Sequence, residues 1–134
     1  MAFSLNGLNF QSNGSHQRIT FHDPCYLGRR NWDYQSPRML LKALPDAKII
    51  EMDRNQKNAF CCGGGGGNLF TDLLSAEADS PGRVRVREAA DTGADVLAVA
   101  CPICAVMLED AAKVEGLENR LQVKEVTEIM AEYL

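Results

Sequence analysis

Two adjacent cysteines followed by five glycines most constrain how this 134-residue chain folds. Cys61 and Cys62 are poorly placed to form a disulfide with each other, and the run 63–67 specifies no regular helix or strand. Glycine adopts backbone angles closed to other residues and lets the main chain approach a ligand closely. We therefore predict a loop that wraps a group held by sulfur, with Gly63, Gly64 and Gly65 beside it, rather than a flexible linker.

The cysteine count indicates metal or redox chemistry. The chain has five cysteines, an odd number, and residues 1–17 lack the basic segment and apolar core of a secretory signal. Thiols in such a chain normally stay reduced, so a disulfide framework is not expected. Residues 1–17 are polar and are predicted to form a flexible tail, followed by a single domain over residues 18–134.

Charge and hydropathy exclude two classes of partner. The formal net charge of −4 argues against a nucleic acid partner, whose phosphates attract basic surfaces. No apolar run approaches the roughly 20 residues that a membrane-spanning helix needs. We therefore expect a cytoplasmic location without direct membrane insertion, with peripheral association to a membrane complex left open.

Predicted strands alternate with predicted helices along the chain, which favours an α/β fold. The strands are expected at 18–22, 48–52, 95–100 and 121–125, and the helices at 36–44, 68–75, 81–91, 102–114 and 127–134. The pairs Ser36-Pro37 and Ser80-Pro81 are typical of helix starts. We predict a four-stranded, parallel, Rossmann-like sheet with helices on both faces, in which the strand 95–100 is central and buried.

Every cysteine follows one of the first three predicted strands. Cys25 follows the first strand, Cys61 and Cys62 follow the second, and Cys101 and Cys104 follow the third. Because ligands of such sheets bind beyond the carboxyl ends of the strands, the five thiols are expected to gather at that edge.

Clustered thiolates need cations to neutralise their mutual repulsion. Soft thiolates select zinc, copper(I) or iron–sulfur clusters. A structural zinc site closes with four ligands and would leave one thiol spare, whereas a polynuclear cluster accepts more ligands. A phosphate-binding role for the glycine run is the weaker alternative, because the run lacks the Lys-Ser/Thr that follows the glycines of a nucleotide P-loop. A thioredoxin-type dithiol needs only two cysteines, which makes that alternative weaker.

Residues near Cys25 are secondary candidates for function. His22 is a candidate to donate a proton to a departing thiolate or to hydrogen-bond a cluster sulfur, and a structural role is the alternative. Asp23 is predicted to cap the turn that carries Cys25. Trp32 and Tyr34 are predicted to pack in the core, over the loop, and a docking surface is the alternative.

The cysteine spacing resembles that of a known family. Cys25, thirty-five intervening residues, Cys61 and Cys62, thirty-eight more, and then Cys101 and Cys104 resemble the cysteine-rich CCG domain of the heterodisulfide reductase B/D family. The flanks H-D-P-C-Y-L-G-R and C-C-G-G-G-G-G look most like the heterodisulfide-reductase-like iron–sulfur subunit of sulfite-reduction-associated membrane complexes. The resemblance covers residues 20–134.

This resemblance implies a cofactor and an activity. It implies a noncubane [4Fe–4S]-type cluster held by all five cysteines: Cys25, Cys61, Cys62, Cys101 and Cys104. A disulfide substrate would be cleaved there by stepwise electron delivery, in a disulfide reductase-type oxidoreductase. The electrons would come from a ferredoxin-like domain or subunit. Some relatives carry zinc instead, so a zinc-binding structural or interaction module with no redox role of its own is the alternative.

Overall fold

A short parallel sheet forms the centre of the fold. The computed structural model describes residues 7–71 and 77–134. The strands are β1 (Arg18–Phe21), β2 (Lys48–Ile49), β3 (Val96–Val99) and β4 (Gln122–Glu125). They lie in the order β2-β1-β3-β4, and every pairing is parallel. The predicted α/β class and four-stranded parallel sheet are therefore confirmed, and β3 is an inner strand buried along its whole length.

Helices cover both faces of this sheet, as predicted. They are α1 (Ser36–Lys42), α2 (Asn68–Thr71), α3 (Pro81–Asp91), α4 (Pro102–Val114) and α5 (Val126–Ala131), with a π-helix at Tyr26–Arg30 and a 3-10 turn at Gln56–Asn58. Successive side chains of β3 point to opposite faces. Leu97 and Val99 pack in one cluster with residues of α3 and α4, while Val96 and Ala98 pack in another with residues of α1 and α5.

Several element ends differ from the prediction. Strand β2 is paired over Lys48–Ile49 only, because it is an edge strand and the chain leaves the sheet so that Met52 is buried against α3 and α4. Helix α1 ends at Lys42, and α5 covers Val126–Ala131. Residues 72–75 of the helix predicted over 68–75 lie outside the described residues, as do residues 1–6 of the predicted tail.

Asp33, rather than Ser36, supplies the side-chain acceptor at the start of α1. Its Oδ1 accepts hydrogen bonds from the backbone N–H groups of Gln35 (3.2 Å) and Ser36 (2.9 Å). These bonds lower the pKa of Asp33, with the N–H of Ser36 as the largest cause. Ser36 is therefore the first residue of the helix and not its cap, since a carboxylate two to three residues earlier already satisfies the free N–H groups.

The described part of the N-terminal segment contacts the domain. Phe10 packs against the hydrophobic cluster beside α1 and α5, and the N–H of Gln11 donates to the carbonyl of Tyr133 at 2.7 Å. The predicted domain boundary at residue 18 stays a prediction.

A buried arginine ties the end of β1 to two other segments. Arg38 of α1 donates to Asp23 at 2.7 and 2.8 Å and to Glu51 at 2.6 and 2.9 Å. Burial alone would lower the pKa of Arg38, and the two carboxylates outweigh it and raise that pKa. Asp23 also accepts the N–H of Gln56 at 2.7 Å. The predicted cap role of Asp23 at the Cys25 turn is wrong, because a buried guanidinium requires its carboxylate.

Gly64 is the glycine of the run that packing requires. A Cβ at Gly64 would lie 2.5 Å from Cγ2 of Ile103 and 2.9 Å from Cγ of Met107, both in α4. Gly63 has φ +86°, a conformation that favours glycine. Gly65 has an ordinary φ, and a Cβ there would meet no atom within 4 Å. Gly64 therefore allows the loop to lie directly against α4, and Gly63 lies beside Pro81 at the start of α3.

We predict that Arg38→Met destabilises the fold strongly. The substitution leaves the carboxylate of Asp23 buried without its partner, which costs about 3–5 kcal/mol of unfolding free energy. Arg18→Met is the matched control, because it breaks an ion pair with Asp95 that is about half exposed. Urea denaturation measures both. Equal losses in the two variants would contradict a special role for the buried pair.

We also predict that Gly64→Ala and Gly65→Ala differ in stability. The added methyl at position 64 overpacks the contact with α4 and should cost about 1–3 kcal/mol, whereas the methyl at position 65 points into open space. Thermal unfolding followed by circular dichroism compares the two variants. A Gly64→Ala variant as stable as Gly65→Ala would show that the loop does not rest on α4.

Candidate metal centre

One cavity at the carboxyl end of the sheet is lined by four of the five cysteines. Its walls include Cys25, Cys61, Cys62 and Cys104, together with His22. Cys62 and Cys104 are buried, whereas Cys25 and Cys61 are exposed. The cavity therefore has thiols at its base and at its mouth, and the predicted gathering of cysteines at this edge is confirmed.

Local structure places each of these thiols. Cys25 precedes the π-helix Tyr26–Arg30, four residues beyond the end of β1. Pro102 begins α4, where its fixed φ and missing N–H suit the first helical turn. Cys104 lies in that turn and points into the core of the α3 and α4 face. The thiols thus converge from a turn, a glycine loop and a helix start.

Cys101 occupies a different environment from the other four cysteines. It is the N-terminal cap residue of α4, and its carbonyl accepts the N–H of Ala105 at 2.9 Å. Cys101 is partly buried and packs against the hydrophobic cluster beside α3 and α4. It lies at the predicted edge of the sheet but is not among the residues that line the cavity.

The tightest group of possible ligands is fully buried. The Sγ atoms of Cys62 and Cys104 are 3.4 Å apart. A ring nitrogen of His22 joins them, and the three atoms lie within 4.8 Å of one another. Such separations suit atoms that share one metal ion at about 2.0–2.3 Å.

Neighbouring thiols and burial raise the pKa of two adjacent thiols, Cys61 and Cys62. The hydrogen bond with Cys104, together with burial, raises the pKa of Cys62 to about 11. The hydrogen bond with Cys62, and then burial, raises the pKa of Cys61 as well. Backbone N–H groups of Gly63 and Gly64 act in the opposite direction. Thiolates at this site therefore require a bound cation, as in metal-binding proteins generally.

The glycine loop supplies N–H groups to the sulfurs. The N–H of Gly63 donates to Sγ of Cys61 at 3.2 Å, and the carbonyl of Gly63 accepts from Asn68 at 2.8 Å. A Cβ at Gly64 would lie 3.6 Å from Sγ of Cys62. The roles predicted for Gly63, Gly64 and Gly65 in holding a bound group stay predictions. Of the three, Gly65 alone has no atom within 4 Å of the position that a Cβ would take.

His22 lies behind the thiols with its ring held by an arginine. Its backbone N–H donates to Ala98 at 2.9 Å, and its Nδ1 accepts from Nε of Arg85 at 3.0 Å. Burial, followed by the charge of Arg85, lowers the pKa of His22 to about 3. The ring is therefore neutral at pH 7, and its proton is on Nε2 because Nδ1 is the acceptor.

Sequence reasoning missed Arg85, although a signal for it was present. On a helix, position 85 shares a face with Gly82, Val86 and Ala89, all of which are buried, whereas Arg83 and Arg87 lie elsewhere. An arginine on the apolar face of an amphipathic helix requires buried partners.

The aromatic residues beside Cys25 differ from each other. Trp32 is 77% exposed, so its predicted core packing is wrong: it occupies a turn with φ +56° that directs the side chain outward. Tyr34 lines the cavity and packs over Gly28, where a Cβ would lie 2.5 Å from its ring. Among the described residues that line the cavity, Arg29 alone has a permanent positive charge, and it donates to the carbonyl of Ala59 at 3.0 Å.

Within residues 7–71 and 77–134, no helix combines the length and apolar character needed to cross a membrane.

Comparison with known proteins gives consistent matches. The family described as the CCG cysteine-rich domain matches residues 19–109. The chain is 40% identical over 118 residues, 87% of its length, to one subunit of the dihydromethanophenazine:CoB–CoM heterodisulfide reductase of Methanosarcina barkeri. It is 38% identical over 120 residues, again 87% of the chain, to the probable iron–sulfur-binding oxidoreductase FadF of Bacillus subtilis. It is 34% identical over 121 residues, 84% of the chain, to the EtfAB:quinone oxidoreductase of Syntrophomonas wolfei.

These relatives are much longer than this chain. The match spans 27% of the Methanosarcina protein and 16% of each of the other two proteins. No solved structure gives a significant match. The cysteine spacing, the thiol-lined cavity and these similarities agree, and the chain belongs to the CCG cysteine-rich domain family, as an iron–sulfur domain of the kind found in heterodisulfide-reductase-like oxidoreductases.

Proposed function

We propose that this domain binds a noncubane [4Fe–4S]-type cluster through Cys25, Cys61, Cys62, Cys101 and Cys104 and delivers electrons to a disulfide substrate. The observation that carries the proposal is the cavity at the carboxyl edge of the sheet, which four of these thiols line. A ferredoxin-like domain or subunit of a larger oxidoreductase would supply the electrons.

The donor set suits an iron–sulfur group. The cavity offers soft sulfur ligands, and backbone N–H groups of the glycine loop act on two of them. When bound, the cluster would supply electrons one at a time, and cleavage of one disulfide consumes two electrons and two protons to give two thiols. The buried thiols Cys62 and Cys104 would hold the group on the side away from water.

The exposed part of the cavity gives the substrate an approach. Cys25 and Cys61 lie at the solvent side, so a disulfide reaches the site past these two residues. Arg29 lines the same cavity and is suited to hold a carboxylate of an anionic disulfide. His22 is neutral and buried, and we assign it a hydrogen bond from Nε2 to sulfur in preference to proton donation.

One observation favours a second candidate, a zinc-binding interaction module. Four thiols line the cavity and Cys101 does not, and four ligands close a structural zinc site. In that case Cys101 would be a spare thiol and the domain would have no redox role. The two candidates therefore differ most sharply in what they require of Cys101.

We predict that anaerobic reconstitution with ferrous iron and sulfide loads about four iron atoms per chain and gives an EPR signal on reduction or oxidation. Cys101→Ser and Cys104→Ser should each abolish that signal, because both residues are ligands in the proposal. A zinc module instead predicts that Cys101→Ser retains stoichiometric zinc while Cys104→Ser loses it.

Metal analysis, EPR and circular dichroism on the same samples distinguish these outcomes. Circular dichroism confirms that each variant is folded before its metal content is interpreted. Stoichiometric zinc without iron in protein purified under anaerobic conditions would overturn the cluster proposal.

We further predict that the iron-loaded chain catalyses oxidation of reduced viologen by a small aliphatic disulfide. Two viologen molecules should be oxidised for each disulfide consumed, and two thiols should appear, since each viologen carries one electron. Absorbance follows the viologen, and a thiol reagent applied after quenching counts the products. The same chain loaded with zinc is the control. A rate no greater than this control would argue against disulfide reduction by the domain.

A further inference from the structure

Arg85 lies behind the thiol-lined cavity, and the proposed function gives it no role. It is fully buried on α3, and its Nε donates to Nδ1 of His22 at 3.0 Å. The ring of His22 in turn lies within 4.8 Å of the sulfurs of Cys62 and Cys104. Arg85 therefore reaches the cavity through one intervening side chain.

The direction of this hydrogen bond determines what His22 offers to the site. A guanidinium has donors only and does not lose its proton in proteins. Nδ1 of His22 must therefore present its lone pair to Arg85, and in the neutral ring the proton lies on Nε2. A nitrogen that carries a proton has no lone pair for a metal ion. His22 is then a hydrogen-bond donor and not a metal ligand, despite its position beside two thiols.

We propose that Arg85 is a positioning residue that fixes His22 as an N–H donor to the cysteine sulfurs and withholds its ring from metal. This inference rests on the proposed function in so far as those sulfurs hold the cluster. Of the three grouped side chains His22, Cys62 and Cys104, the two thiols are then the ones left to bind a metal.

The remaining contacts of Arg85 explain how the guanidinium is held. Its Nη1 donates to the carbonyl of Arg54 at 2.8 Å and to Glu88 at 3.0 Å. The planar group thus serves three acceptors at once, which the single ammonium of a lysine does not reproduce in the same geometry. These contacts fix the angle at which Nε meets His22.

The charge of Arg85 is only partly compensated. Glu88 is shared with Arg54, and the second Nη of Arg85 has no hydrogen-bond partner among the residues that the structure describes. Burial lowers the pKa of Arg85, but an arginine remains a cation at pH 7. A buried positive charge behind the thiols favours the more negative, reduced state of whatever the thiols hold.

Nitrogen NMR of the metal-free, reduced chain at pH 7 tests the tautomer directly. Labelled histidine reports whether Nδ1 or Nε2 carries the proton, and a His16→Gln variant assigns the signals, since the chain has two histidines. We expect the Nε2–H tautomer of His22 alone in the wild type and a mixture in Arg85→Met. Arg87→Met is the matched control, because it removes the same charge from the same helix at a partly exposed position.

A wild-type ring protonated on Nδ1, or an Arg85→Met variant with an unchanged tautomer, would overturn the proposal. If Arg85→Met does not fold, the wild-type tautomer alone decides. Because this measurement needs no metal, it separates the inference from the proposed function: failure to load iron leaves the tautomer result intact.

The reduction potential of the reconstituted chain provides the second readout. Arg85→Met should lower this potential, because the positive charge that favours the reduced state is lost. We expect the ratio of reduced to oxidised protein at fixed potential to fall about tenfold, which corresponds to a shift of about 59 mV for one electron. Arg85→Lys keeps the charge, so its potential should lie closer to the wild-type value than that of Arg85→Met. Arg87→Met should have a potential near the wild-type value. Equal potentials in the wild type and Arg85→Met would contradict the effect assigned above to the buried charge of Arg85.

Discussion

The parallel pairing of β1 with β3 is the constraint on which the site depends. Ile19, Thr20 and Phe21 lie opposite Val96, Leu97 and Ala98 in register. Both strands therefore end at the same edge, and the segments that follow them must leave the sheet side by side. The hydrogen bond from the N–H of His22 to Ala98 extends this register by one residue. Cys25 and the start of α4 are brought together by backbone pairing, before any contact between sulfurs.

Cys61 and Cys62 are positioned by a different kind of interaction. Polar and aromatic contacts fix the conformation of the loop before them and hold it beside the π-helix Tyr26–Arg30. The guanidinium of Arg54 lies 4.0 Å from the ring centroid of Phe60, and Arg29 binds the carbonyl of Ala59. Since these contacts adjoin the Cys61–Cys62 pair, charged side chains fix the thiols of the loop while hydrogen-bonded strands fix the others.

The sequence predicted the helices beside the site better than the side-chain contacts within it. Helix α3 begins at Pro81 and α4 covers Pro102–Val114, as predicted, because proline and glycine mark helix ends through local backbone preference. The alternation of strands and helices likewise predicted the thiol-lined edge. The Arg85–His22 bond joins residues 63 positions apart, and no local preference indicates such a pair. Trp32 was misassigned because aromatic character suggests burial, whereas its turn directs it to solvent.

The uneven exposure of the thiols supports a reactive centre over a purely structural one. A structural zinc site is closed by its ligands and requires no access for a further molecule. Here the base of the cavity is buried at Cys62 and Cys104, while Cys25 and Cys61 are exposed. The buried half is joined to a neutral histidine and an arginine, which set its hydrogen bonding and charge. The exposed half adjoins Arg29, which has a permanent positive charge. The proposed electron transfer to a molecule from solvent would require this arrangement, in which one side of the site is protected and the other is open.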